Sequence, residues 1–132
     1  MKSDIKLINE RYNEAVRGRA RGKSNTYKLV RVYTSYDENS IGYIETTTTT
    51  KDLESFMNER VQQLRAKEHE EEFLYPIGIT HGIGAISLDE EHVELVIPAN
   101  SPMFNFVDIV KDADNNSSEW AKWSEFMNSM QF

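Results

Sequence analysis

The chain has no cysteine, which removes disulfide frameworks, thiolate nucleophiles and cysteine-ligated zinc from consideration. That absence suits a reducing cytoplasm, the expected location. Long hydrophobic runs are also missing. Nothing approaches the roughly 20 apolar residues of a membrane helix, and the polar stretch Met1 to Lys6 lacks a signal-peptide core, so neither a membrane nor export is expected. With only three prolines and six glycines, the breakers are few enough for each to mark a boundary. Histidine is scarce too: His69, His81 and His92 are all there is for imidazole chemistry.

What is present describes a globular domain. Hydrophobic residues make up 39% of the chain and charged residues 28%, and 132 residues suffice for one core but not two. The net charge of −7 conceals a split. Residues 1 to 31 carry nine Lys and Arg against three acids, a balance of +6, while the other six cations and 19 acids give −13. A basic segment folded onto an acidic body would produce this division, and so would two surfaces with different partners.

The clearest periodicity lies between Thr50 and Phe73. Leu53, Phe56, Met57, Val61 and Leu64 recur at spacings of three and four, which places them on one helical face that needs a sheet beneath it. Thr49 or Thr50 is the expected cap, with Asp52 in the first turn favoured by the helix dipole. Glu68, Glu70, Glu71 and Glu72 crowd the far end, where the dipole favours cations, so a basic neighbour is expected.

Around this helix the chain reads as one α+β domain in the order α-β-β-α-β-β-α-α, with a mainly antiparallel sheet of about four strands. Residues 1–26 form a basic helix and arginine-rich loop, the helix itself over 4–17. A hairpin over 27–50 leads into the central helix over 51–73. A second hairpin over 76–98 has Ile77, Ile79, Ile83 and Ala85 alternating with Gly78, Thr80, Gly82 and Gly84, and helices over 102–132 close the chain. Ser101-Pro102 opens the first of these, and Asn116 or Ser117 caps the last.

Arg17, Arg19, Arg21 and Lys23, spaced by glycines, suit phosphate oxygens, but they equally suit neutralising Glu68 to Glu72. A nucleotide-binding P-loop is excluded, because three residues separate Gly18 from Gly22 where that motif needs four. Asp112, Asp114 and Asn116 have the spacing of a calcium loop, yet Ser117 replaces its glycine and Trp123 its glutamate, so an ordinary link is expected. His69 and Glu72 supply only two ligands, short of a metal site, and no cofactor is expected. Strand alternation aligns His81 with Ile77, Ile79 and Ile83, which predicts a buried structural imidazole. Gly78, Gly82 and Gly84 on one face predict close packing against the central helix, with a ligand cleft as the alternative. Trp120, Trp123, Met127 and Met130 belong either to the core or to an interface with a symmetry mate, and a homodimer is expected.

No nucleophile is paired with a base, so an enzyme is not expected. The expected function is that of a non-enzymatic binding protein, a regulator or inhibitor of the kind phages and mobile elements encode, which occupies a macromolecular target through its acidic surface. The alternative puts nucleic acid or a small phosphorylated ligand on the Arg17 to Lys23 loop.

Overall fold

The computed structural model describes residues 25–33, 41–67 and 72–130. The expected helix over 4–17, the arginine loop with Arg17, Arg19, Arg21 and Lys23, the turn over 36–40, and Glu68, His69, Glu70 and Glu71 lie outside the described residues.

Five strands and three helices are found among the described residues: β1 (Asn25–Tyr33), β2 (Tyr43–Thr49), α1 (Leu53–Lys67), β3 (Tyr75–Thr80), β4 (Ile83–Ser87), β5 (His92–Pro98), α2 (Met103–Lys111) and α3 (Ser118–Ser129). All strand pairs are antiparallel, in the order β2-β1-β5-β4-β3. The class is the expected α+β, with five strands in place of four. The expected hairpin over 76–98 is a three-stranded meander, because His81 (φ 53°) and Gly82 (φ 75°) are both left-handed and reverse the chain between Thr80 and Ile83. Two positive φ values are what a two-residue type I′ loop requires. Pairing Thr80 with Ile83 and Ile79 with Gly84 puts Ile79 and Ile83 on opposite faces, yet both keep the same place in one alternating sequence pattern, which is why residues 77–85 read as one strand. His81 is consequently exposed at a turn and not buried beside the isoleucines.

The sheet has a helical layer on each side. Leu53, Phe56, Met57, Val61 and Leu64 of α1 are all buried and share a core with Tyr27, Leu29, Ile86 and Val96. A 15-residue helix is marginal alone, so this stripe, at about 1.5–3 kcal/mol per large side chain, is what holds it. Its cap is Asp52, whose Oδ1 accepts from the Ser55 amide at 2.9 Å, and not Thr49 or Thr50; the Thr49 hydroxyl accepts from the Lys51 amide instead. Of the three glycines, only Gly84 meets α1, where a Cβ would strike the Met57 thioether; Gly78 and Gly82 have open space.

On the opposite face, Val30, Val32, Ile83, Ala85, Val93, Leu95 and Ile97 pack against Val107 and Val110 of α2 and against Trp120, Trp123 and Met127 of α3, with Met130 just beyond. The C-terminal aromatic stripe is therefore core, resting on the chain's own sheet: Trp123 is 1% exposed. The link between α2 and α3 is a helix connection in which Ser117 Oγ accepts from the Trp120 amide at 3.1 Å. One cation enters this face. Lys28 donates to the Phe104 carbonyl and pairs with Asp108 at 2.7 Å.

Candidate functional site

The register of the sheet aligns Tyr43, Arg31, Glu94 and Ile86 in one row across β2, β1, β5 and β4 on the α1 face. The next row towards the strand ends places Tyr33 opposite His92. Among the described residues α1 packs mainly on β3, β4 and β5, and no described helix lies over β2 or the end of β1 beside it. Polar side chains gather along that uncovered margin.

Glu94 is the anchor. Its carboxylate is wholly buried, which is tolerable only because it is paired. Arg60 reaches down from α1 and grips both oxygens, Nε to Oε2 at 2.8 Å and Nη2 to Oε1 at 2.9 Å. Arg31 adds a longer contact, Nε to Oε1 at 3.3 Å. The hydrogen bond with Glu94 raises the Arg60 pKa above its ordinary value despite the opposing effect of burial. Both guanidinium groups thus meet at one carboxylate.

Arg31 also lies over the Tyr43 ring, 5.2 Å from its centroid. The Tyr43 hydroxyl donates to Glu45, and that hydrogen bond, with burial and the Glu45 charge, pushes its pKa up. Beyond this row Tyr33 and His92 stack at 4.5 Å with a 38° tilt. The turn before β5 holds the imidazole. Asp89 Oδ1 accepts from the amides of Glu91 and His92, both at 2.8 Å, and the two carboxylate oxygens lie 2.9 and 3.0 Å from His92 Nδ1. Partial burial pushes the Asp89 pKa up, but these amides and the imidazole outweigh it and hold the carboxyl below its ordinary value. Arg31, Tyr33, Tyr43, Leu88, Asp89 and His92 surround a cleft of about 310 Å³. Tyr33 and Tyr43 are 40% and 42% exposed there.

The charges nearly cancel. Arg31 and Arg60 face Glu94 and Glu45, while Asp89 on the lining adds a negative charge and the exposed Glu90 and Glu91 follow it in the turn. A second cleft, of about 280 Å³, lies around Leu53, His81, Pro98 and Asn100 at the other end of the sheet. Among the described residues no group of three or more His, Cys, Asp or Glu could hold a metal, and no helix is long and apolar enough to cross a membrane.

Of the site residues expected from sequence, Glu72 is exposed after α1, and Trp120, Trp123, Met127 and Met130 are in the core. None of them lines the cleft. Sequence reasoning missed Arg31, Arg60, Glu94, Tyr33, Tyr43 and His92 as a group. A signal was there: Arg31 and Glu94 are single charges of opposite sign inside the apolar runs Leu29 to Tyr33 and Val93 to Ile97. Opposite charges placed where side chains should be buried imply that they meet. No protein-family model, no curated protein and no solved structure matches the chain.

Proposed function

We propose that this chain acts by binding and not by catalysis, and that it occupies a basic surface of a protein target with the acidic, tyrosine-lined margin beside α1. The observation that carries the reading is the pair of exposed tyrosines flanking Arg31 on the uncovered part of the sheet. Tyrosine and arginine are the residue types that most often anchor protein interfaces, since they bring large contact area with little loss of side-chain freedom. A rim carrying Asp89, Glu90 and Glu91 draws a cationic partner and disfavours an anionic one. Binding is favoured over catalysis because the His92 ring has no nucleophilic hydroxyl hydrogen-bonded to it among the described residues. A regulator or inhibitor would use such a surface by denying the target's basic face to its usual anionic ligand.

The test compares cross-linked partners of the full chain with those of a Tyr33→Ser, Tyr43→Ser, Glu90→Lys, Glu91→Lys variant. The reading expects a basic protein that the parent retains and the variant loses. Identical partners for both would refute it.

A further inference from the structure

Resting on the reading of a basic protein target, we propose that the cleft receives an arginine side chain of that target, laid against Tyr33 and donating a hydrogen bond to His92 Nε2. The argument starts at Asp89. An ionised carboxylate only accepts hydrogen bonds, so the contacts of 2.9 and 3.0 Å place a proton on His92 Nδ1. In the neutral ring Nε2 is then an acceptor. It has no hydrogen-bond partner among the described residues, yet the ring lines the cleft. The side chain is 35% exposed, so an occupant that takes the place of water there keeps it satisfied by bringing a donor.

The neighbouring ring narrows the chemistry. Tyr33, in contact with His92, presents an aromatic surface to the same opening, where a cation is attracted by the ring quadrupole. Among the described residues a cation already lies over a ring twice, Arg31 over Tyr43 and Lys28 over Phe104. The charge balance points the same way. Arg31 shares the buried Glu94 with Arg60, and an entering anion would meet Asp89, which the exposed Glu90 and Glu91 follow in the same turn. A cation meets those carboxylates favourably. Arginine fits better than lysine, because a planar, weakly hydrated guanidinium stacks and donates at once, whereas an ammonium is a hydrated point charge. The volume of about 310 Å³ accommodates that head group and part of its stem.

The experiment titrates the full chain with three peptides of equal length, alternating glycine with arginine, lysine or glutamate, at neutral pH and low salt. Affinity is read by calorimetry and the His92 ring by nitrogen NMR. The arginine peptide is expected to bind about tenfold more tightly than the lysine peptide and to shift the His92 ring signals. Both His92→Phe, which keeps a ring but removes the acceptor, and Tyr33→Leu should abolish that preference. These side chains are partly exposed, so the fold tolerates both changes. Equal affinity for arginine and lysine, or a preference that survives both variants, overturns the inference while leaving the basic-target reading standing. Failure to bind either cationic peptide overturns both. Binding of the glutamate peptide with a His92 shift would overturn the inference in favour of an anion held by Arg31.

Discussion

The two faces of one sheet solve the problem of cover differently. Strand β1 sends Val30 and Val32, 0% and 2% exposed, to the side of α2 and α3, where two tryptophans and two methionines complete an apolar layer. Leu29, Arg31 and Tyr33 of the same strand face the side of α1. There one helix packs on β3, β4, β5 and the start of β1, and among the described residues an ion pair and a cleft occupy the margin beside it. Alternation along one strand thus separates a layer specialised for stability from one that retains polar side chains near water. A face that carries recognition needs groups that a fully apolar layer would exclude.

The strongest way to break this comparison is to remove a keystone of the apolar side. Trp123→Ala opens a cavity under α3 and is expected to cost about 3–5 kcal/mol, measured by chemical denaturation. The His92 ring signals should stay in place wherever the variant remains folded. A cost below about 1 kcal/mol would show that α3 is not needed to close the sheet.

Next comes the ion pair. Arg60→Met strands the buried Glu94 carboxylate with only the longer Arg31 contact, and a loss of about 3 kcal/mol is expected, at the low end of the range for breaking buried pairs because Arg31 remains. Adding Glu94→Leu should recover most of that loss, since a hydrophobic replacement is often no less stable than the pair. Such recovery, with peptide binding weakened, would sharpen the comparison: the charges would serve the surface more than the fold. If the double variant were as unstable as Arg60→Met, the pair would be structural like the opposite face.

The smallest expected effect is that of Asp89. Its carboxyl lies below the ordinary aspartate value, 3.8, so its ionised form is favoured by folding. The contribution is present above that value and is lost as pH falls through the lower folded one. The stability difference between the parent and Asp89→Asn should therefore shrink as the solution is acidified below about pH 4. A difference that grows on acidification would mean that the turn is not held by the charged form.

Much of the fold was legible because it follows from local rules. The α1 stripe and the serine cap of α3 each depend on residues within one or two turns of each other. The split of residues 77–85 was less visible, since a His-Gly loop interrupts the chain direction and not the hydrophobic pattern. The cleft showed in the sequence only as two stray charges, Arg31 and Glu94, inside apolar runs. Arg60 and Glu94 are 34 residues apart, and Arg31 and Glu94 63 apart, so nothing local pairs them.

Sequence alone therefore determined the class of the domain, the buried face of its central helix and the positions of its two C-terminal helices, because propensity, period and capping are properties of short segments. Tertiary structure decided the strand order, the assignment of Trp120, Trp123, Met127 and Met130 to the core, and the meeting of Arg31, Arg60 and Glu94. The physical reason is register. Once β1 lies between β2 and β5, each residue's neighbours are fixed by pairing across strands, and pairing is a property of the whole sheet.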